Sequence, residues 1–156
     1  MEEIERLEDS LGVAFRDRAL LRQALVHPSF ANEYPECSDN QRLEFLGDAV
    51  IGFIVSEHLY LVFPDSPEGV LTNLRAKLVR KEALAELAEA LDLGRFMLLG
   101  HGMMAEEGRS NPGVLADGLE AIAGAVLLDQ GLDAAKRLLL PWIRRSVENL
   151  GGAAIA

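Results

Sequence analysis

The sequence predicts an all-α fold, with one helical domain over residues 1–150. Long stretches repeat their apolar residues with the period of a helix, and strand-like alternation is nearly absent. The 156 residues are enough for one domain with a hydrophobic core and too few for two. Hydrophobic residues make up 49% of the chain and charged residues 26%, which indicates a folded globular chain. Residues 151–156 are left as a tail or truncated linker.

Helix boundaries follow from caps, prolines and glycines. Ile4, Leu7 and Leu11 share one face of an opening helix. Asp17 caps the second helix, which stops before Pro28. The predicted helices cover residues 4–11, 18–26, 40–63, 68–79, 81–91, 114–128 and 132–147. The connecting segments 29–39 and 100–113 are predicted to be loops, the second because it is rich in glycine.

The distribution of charged and apolar residues predicts where in the cell the protein is found and whether it binds a membrane. The apolar runs, such as residues 49–55 and 121–128, are too short to span a membrane. The acidic N-terminus lacks the basic and apolar regions of a signal peptide, so we expect a cytoplasmic protein with no membrane partner. Cys37 is the only cysteine, which excludes an internal disulfide.

The net charge of −10 is a mild argument against a nucleic-acid enzyme, because phosphate contacts normally come from Lys and Arg. Divalent cations bound to clustered acids would cancel part of that charge. The basic residues also cluster, in one group of Arg75, Lys77, Arg80 and Lys81 and in the pair Arg144 and Arg145. Charge alone therefore favours no nucleic-acid role.

The long third helix has two carboxylates in an unusual place. Ser38 or Asp39 is expected to cap this helix, and Pro64 follows its end. Glu44 and Asp48 are spaced i, i+4 and point the same way, between two apolar faces. One face has Leu43, Leu46, Gly47, Val50 and Ile54, and the other has Phe45, Ala49, Gly52 and Phe53. Two acids in such a setting repel each other unless a cation lies between them.

A second helix repeats the arrangement. Asp117 and Glu120 are spaced i, i+3, and small residues such as Ala121 and Gly124 continue their stripe. The small residues would let another helix approach closely, and four carboxylates on two facing helices make a plausible Mg²⁺ site. Paired acids at helical spacing are more often a solvated face, and Asp117 would suit the first turn of any helix. Spacing leaves both readings open.

Four segments of the chain resemble the ribonuclease III family. The stretch 40–50, NQRLEFLGDAV, resembles the longest and most specific motif of that family. Segments 20–31 (LLRQALVHPSFA), 68–80 (EGVLTNLRAKLVR) and 115–131 (LADGLEAIAGAVLLDQG) resemble other family elements in the same order. The resemblance covers roughly residues 7–140, nearly the whole chain.

The resemblance implies a fold, an activity and a set of site residues. It implies a homodimeric helical bundle that cuts double-stranded RNA during RNA processing, leaving 5′-phosphate and 3′-hydroxyl ends with a short 3′ overhang. Glu44, Asp48, Asp117 and Glu120 match the family's metal-binding carboxylates, which take Mg²⁺ or, in substitution, Mn²⁺. Glu68 matches a further active-site acid. Phe45 matches an aromatic that enters a cavity of the other subunit, although internal packing would also explain it, and the basic group 75–81 together with Arg109 is expected to bind RNA.

The chain departs from the family pattern at three places. Gln41 stands where the family usually has Glu, and segment 100–112 lacks much of the usual basic character. The family's usual C-terminal double-stranded-RNA-binding domain is missing from these 156 residues, so we expect either an excised domain or a protein that naturally lacks it. Two other functions are therefore considered. One is a non-cutting relative that binds RNA or ribosomes, which would be expected to lose some of the four carboxylates. The other is an all-α di-metal nucleotide phosphohydrolase, against which the 43–50 motif speaks.

Overall fold

The computed structural model describes residues 2–150 and is helical almost throughout. Its helices are α1 (Glu2–Leu11), α2 (Arg18–Leu25), α3 (Pro28–Glu33), α4 (Gln41–Val62), α5 (Glu68–Val79), α6 (Lys81–Ala90), α7 (His101–Ala105), α8 (Pro112–Gln130) and α9 (Leu132–Leu150), with 3₁₀ turns at Leu93–Arg95 and Gly108–Ser110. The only β-type pairing within residues 2–150 is an isolated parallel bridge between Val26 and Leu98. The all-α prediction is confirmed, and the predicted tail lies outside the described residues.

Helix α8 forms the centre of the domain. It packs against α2, α4, α6 and α9, and most of its middle is buried, apart from the half-buried Asp117 and Glu120. Leu119, Ile122, Ala123 and Val126 have no measurable solvent exposure. A helix that is apolar all round is expected in such a central position. Because four helices pack against α8, its backbone is held in place at the centre of the domain.

Glycines let α4 and α8 cross in direct backbone contact. A Cβ atom added at Gly47 would lie 1.6 Å from the carbonyl oxygen of Glu120, and one added at Gly124 would lie 2.4 Å from that of Leu43. Both distances are far below van der Waals contact, so neither position tolerates a side chain. The prediction that Gly124 permits close approach is confirmed, whereas the nearby Gly118 faces Met97 instead.

Two predicted loops contain helices: α3 in the first, and α7 together with the start of α8 in the second. Residues 28–33 form α3: Pro28 occupies its first turn, and the His27 imidazole accepts the Ser29 amide at 3.0 Å. The dipeptide Asn111-Pro112 starts α8 rather than ending a loop, since the Asn111 side chain accepts the Val114 amide at 3.1 Å. Prediction of these segments as irregular was wrong.

The start of α4 also differs from the prediction. Its N-cap is Asn40, whose side chain makes no capping hydrogen bond. The Asp39 carboxylate instead accepts the Gln41 amide at 3.0 Å, so it supports the first turn from one residue further out. Asp17 caps α2 as predicted, accepting the Ala19 amide at 3.0 Å.

Helix α4 is half covered by the domain. By length and composition it would be long and apolar enough to cross a bilayer, with a mean hydropathy of 1.5, although acids interrupt its apolar runs. Its inner side packs against α8, and Glu57 forms an ion pair with Lys136 of α9 at 2.7 Å. Its outer side is exposed: Phe45 is 82% accessible and Phe53 49%. An apolar strip of this kind on a folded domain indicates a protein interface.

Candidate metal centre

The carboxylates of α4 and α8 meet at the helix crossing. Oxygen atoms of Glu44, Asp117 and Glu120 all lie within 4.8 Å of one another, in a geometry that suits a metal ion. Glu44 is hydrogen-bonded to Asp117, and Asp48 is hydrogen-bonded to Glu120. The four acids predicted from helical spacing therefore form one cluster. Glu44, Asp117 and Glu120 are each half-buried, so they do not form the solvated acidic face that was considered as the alternative.

Burial and mutual repulsion hold protons on this cluster. Loss of solvation, followed by the charge and hydrogen bond of Asp117, raises the pKa of Glu44 to about 7. Burial, followed by the hydrogen bond and charge of Asp48, raises the pKa of Glu120 to about 8. Burial also raises the pKa of Asp117, although its hydrogen bond to Glu44 and the charges of His27 and Lys81 act in the opposite direction. Packed like-charged acids without a cation behave in this way.

A divalent cation fits this set of residues. The converging donors are all carboxylate oxygens, which are the ligands that Mg²⁺ and Mn²⁺ prefer. A bound cation would replace the shared protons and remove the repulsion that raises the pKa values.

The raised pKa values predict how metal-free stability depends on pH. The folded pKa of Glu44 and of Glu120 exceeds the ordinary value of 4.5, so the folded state retains protons that the unfolded state has lost. Their stabilising contribution is complete below the unfolded pKa and is lost as the pH rises through the folded values near 7 and 8. Thermal melts in chelator should therefore show lower stability at about pH 8 than at about pH 5.

Added Mg²⁺ should reverse this loss at alkaline pH and have little effect at acid pH, where protons compete for the same oxygens. Glu120→Gln supplies the control, because it removes one of the two titrating groups and should flatten the pH dependence of stability in chelator. A wild-type melting temperature that is insensitive to Mg²⁺ at alkaline pH would contradict the assignment of the cluster as a metal site.

Glu68, predicted to be a further active-site acid, lies apart from the cluster. It begins α5, where its carboxylate accepts a hydrogen bond from the Thr72 hydroxyl at 3.2 Å. It lines a small groove together with Ser56, Tyr60 and Arg75. The acidic group that the structure brings together does not include Glu68. A role for this acid within one subunit therefore stays a prediction.

The basic group at residues 75–81 lies on the surface of α5 and at the junction with α6. Lys77, Arg80 and Lys81 are exposed, whereas the Arg75 guanidinium donates a hydrogen bond to the Ser56 hydroxyl at 3.1 Å. Lys81 is near enough to Asp117 for its charge to act on that carboxyl group. The junction therefore presents positive charge beside the acidic cluster.

Arg109 has a structural role. One nitrogen of its guanidinium donates to the carbonyl oxygens of Gly94, Arg95 and Met97, at 2.9, 3.3 and 2.7 Å. These bonds fix the 3₁₀ turn Leu93–Arg95 against the segment before α8. An arginine held in this way has little freedom to follow an RNA backbone, so its predicted RNA contact gains no support from the structure.

Phe45 projects outward beside a broad apolar groove. It is too exposed, at 82%, to belong to an internal packing layer of the described chain. The groove has a volume of about 1200 Å³, and Leu20, Pro35, Leu46 and Leu128 supply much of its apolar lining. An exposed aromatic next to an apolar concavity is a self-complementary arrangement, suited to a two-fold interface.

Asn40 was not predicted as a functional residue. Its side chain is 1% exposed and it joins the start of α4 to the end of α2. The available signal was its place as the first residue of the 40–50 motif, where a polar residue precedes a helix that is otherwise apolar on its inner side.

Comparison with known proteins agrees with the geometry. A family model described as ribonuclease-III-like matches residues 17–147. Ribonuclease 3 of Methylococcus capsulatus is 48% identical over 146 residues, which cover 94% of this chain and 61% of that protein. Ribonuclease 3 of Symbiobacterium thermophilum is 47% identical over 140 residues, covering 90% and 59%. The chain thus spans about three fifths of the length of these relatives.

Solved structures show the same fold. The nuclease domain of ribonuclease III from Campylobacter jejuni superposes with a TM-score of 0.85 at 42% identity, covering 93% of this chain and 96% of that one. A second structure of that domain, with a TM-score of 0.86 and 41% identity, covers 93% and 99% and concerns a region involved in dimer formation. The motif, the helical architecture and these similarities agree, and the chain belongs to the ribonuclease III family.

Proposed function

We propose that the chain is the endonuclease domain of a ribonuclease III that hydrolyses double-stranded RNA with the help of Mg²⁺, or Mn²⁺ in its place. The observation that carries the proposal is the cluster of four carboxylates at the α4–α8 crossing, two of which have pKa values raised to about 7 and 8. The similarity to curated ribonuclease 3 proteins supports the same reaction class.

Each carboxylate has a place in the proposed mechanism. Glu44, Asp117 and Glu120 would hold the cation directly, and the exposed Asp48 would join them through its contact with Glu120. When bound, the cation supplies Lewis-acid stabilisation of the charge that develops on the scissile phosphate. Glu44 and Glu120 must release their protons as the site loads, so binding should strengthen as the pH rises through their pKa values. The close backbone approach at Gly47 brings the carboxylates of α4 beside those of α8 before any substrate binds.

We infer that two chains act together. The exposed Phe45 and the adjacent groove supply a self-complementary surface, and the related Campylobacter domain has a region involved in dimer formation. A two-fold dimer would place two metal centres on one face of the assembly. Each centre would then cut one strand of a duplex, leaving 5′-phosphate and 3′-hydroxyl ends with a short 3′ overhang.

A substrate panel tests the proposal. The purified chain should be incubated with long duplex RNA, the corresponding single strands, duplex DNA and nucleoside triphosphates, each with Mg²⁺ and with chelator. We expect Mg²⁺-dependent cleavage of duplex RNA alone. Turnover of the triphosphates would indicate a phosphohydrolase, and duplex binding without cleavage would indicate a non-cutting relative; either result would overturn the proposal.

RNA binding by the 156-residue chain should be weak and should depend strongly on salt. At a net charge of −10 the chain has few basic side chains in excess for phosphate contacts. The exposed Lys77, Arg80 and Lys81 of the basic group 75–81 would supply part of those contacts. Charge reversal by Arg80→Glu should weaken binding to every duplex sequence and lower the slope of log K against log salt by about 1. Arg6→Glu on α1 is the matched control, expected to change neither quantity. Filter binding over a salt series in chelator measures both, and affinity insensitive to salt would contradict this account.

A further inference from the structure

Asn40 is one of two polar residues that are almost completely buried within residues 2–150, the other being Glu8. Its side-chain amide donates to the carbonyl oxygen of Ala24 at 3.0 Å, and its backbone amide donates to that of Val26 at 2.9 Å. A buried amide is placed only where its hydrogen bonds are satisfied, so these bonds hold the residue in one position. Asn40 is thereby attached to the C-terminal end of α2 at two points.

The same residue is joined to a ligand of the proposed metal centre. The carbonyl oxygen of Asn40 accepts the backbone amide of Glu44 at 2.8 Å, in the first turn of α4. The neighbouring Asp39 carbonyl accepts a bond from the Gln23 side chain at 3.2 Å, which adds a further link to α2. One turn beyond Glu44, Gly47 touches the backbone of α8. Glu44 thus lies between two fixed points of α4.

The end of α2 is also hydrogen-bonded to Leu98, in the segment before α7. Leu98 accepts the backbone amide of His27 at 3.1 Å and donates its own to Leu25 at 2.9 Å, and α2 packs against α8, which carries Asp117. The path from Asn40 through α2 to α8 therefore sets where the first turn of α4 lies relative to the α8 carboxylates. A small displacement of that turn would move the Glu44 oxygens out of the 4.8 Å cluster.

We propose that Asn40 is a positioning residue of the metal centre, which holds the first turn of α4 so that Glu44 meets Asp117 and Glu120. This inference rests on the proposed function, because it concerns the same metal site. Asn40 does not contact the cation. It acts through the Glu44 backbone, and residues that orient metal ligands in this way typically change metal affinity by about tenfold to a hundredfold when they are replaced.

Two variants test the role. Asn40→Ala removes the bond to the Ala24 carbonyl. Asn40→Asp keeps the shape of the side chain but turns an acceptor towards that carbonyl, and its added negative charge would by itself strengthen cation binding. Weaker binding in Asn40→Asp would therefore come from lost positioning. Glu8→Gln is the matched control, since Glu8 is also buried, accepts the Phe15 amide at 2.6 Å and the Arg18 guanidinium at 2.8 Å, and lies on α1 outside the cluster.

Binding of Mn²⁺ to each full chain should be measured by electron paramagnetic resonance, alongside thermal melts in chelator and cleavage rates over a metal series. We expect both Asn40 variants to need about tenfold more metal for half-saturation, with the cleavage rate at saturating metal largely recovered. Glu8→Gln should lose stability and keep the wild-type metal requirement.

The outcomes separate this inference from the proposed function. Wild type that binds no Mn²⁺ and cuts no duplex RNA would refute the proposed function. Wild type that binds and cuts, together with Asn40 variants whose metal requirement is unchanged, would refute the positioning role alone. If Asn40→Ala does not fold, the isosteric Asn40→Asp variant alone tests the positioning role. A metal requirement that rises equally in Glu8→Gln would show that a general loss of stability causes the effect, and it would refute the positioning role.

Discussion

Replacement of Glu120 by Gln should abolish metal-dependent cleavage and leave the fold intact. The substitution keeps the size of the side chain but removes the carboxylate whose pKa is raised to about 8 by burial and by Asp48. If the lost stabilisation of the transition state is ~4 kcal/mol, the rate falls about a thousandfold. In chelator the variant should melt no lower than wild type at alkaline pH, because Glu120 no longer adds its negative charge to those of Glu44, Asp48 and Asp117.

The measurement is cleavage of duplex RNA at saturating Mg²⁺, paired with thermal melts with and without metal. Asp117→Asn should behave in the same way, since Asp117 is in the same cluster. Glu148→Gln makes the identical chemical change at an exposed position of α9 and should cut at the wild-type rate. Retained cleavage in Glu120→Gln would show that the cluster is not the catalytic centre.

Truncation of Phe45 to Ala should separate the two chains of the proposed dimer. The side chain is 82% exposed in one chain, and a two-fold partner would cover it twice. Loss of a buried aromatic costs about 3–5 kcal/mol per site by analogy with core truncations. Because the dimer loses two such side chains, the dissociation constant should then rise at least about ten-thousandfold, since every 1.4 kcal/mol is a factor of ten. Cutting of both strands should decline with it, although the four carboxylates are untouched.

Sedimentation of wild type and variant over a range of protein concentrations measures this effect. Met104→Ala is the control, because it removes another exposed apolar side chain, from α7, and should leave the association unchanged. A monomeric wild type, or a Phe45→Ala variant that stays fully dimeric, would exclude this interface.

The acidic cluster was predictable because helical periodicity is a local property. Glu44 and Asp48 are four residues apart, and Asp117 and Glu120 are three residues apart. Both spacings are close to one helical turn, so the two members of each pair share a face of their helix. That the two pairs meet depends on Gly47 and Gly124, which allow the backbones of α4 and α8 to touch. The glycines that permit the close approach of α4 and α8 could be seen in the sequence. The hydrogen bonds between carboxyl groups, and the raised pKa values that result from them, could be found only in the folded structure.

The helix boundaries were predicted wrongly where a residue type can either end a helix or begin one. The second helix does end before Pro28, but segments 29–39 and 100–113 were predicted to be loops, whereas Pro28 and Pro112 each follow a capping side chain and occupy the first turn of a helix, where proline is favoured. The RNA contact of Arg109 stays a prediction, and the sequence did not show that the carbonyl oxygens of residues 94–97 accept hydrogen bonds from its guanidinium. Such long-range partners leave no periodic signal in the sequence.

Incubation of the purified chain with long duplex RNA, followed by analysis of the product ends, tests the central claim most directly. With Mg²⁺ we predict cuts in both strands, short duplex products and 5′-phosphate ends, and we predict intact RNA in chelator. Folded protein that loads metal, as shown by a melting temperature raised by Mg²⁺, and yet leaves duplex RNA uncut at low salt would contradict the account.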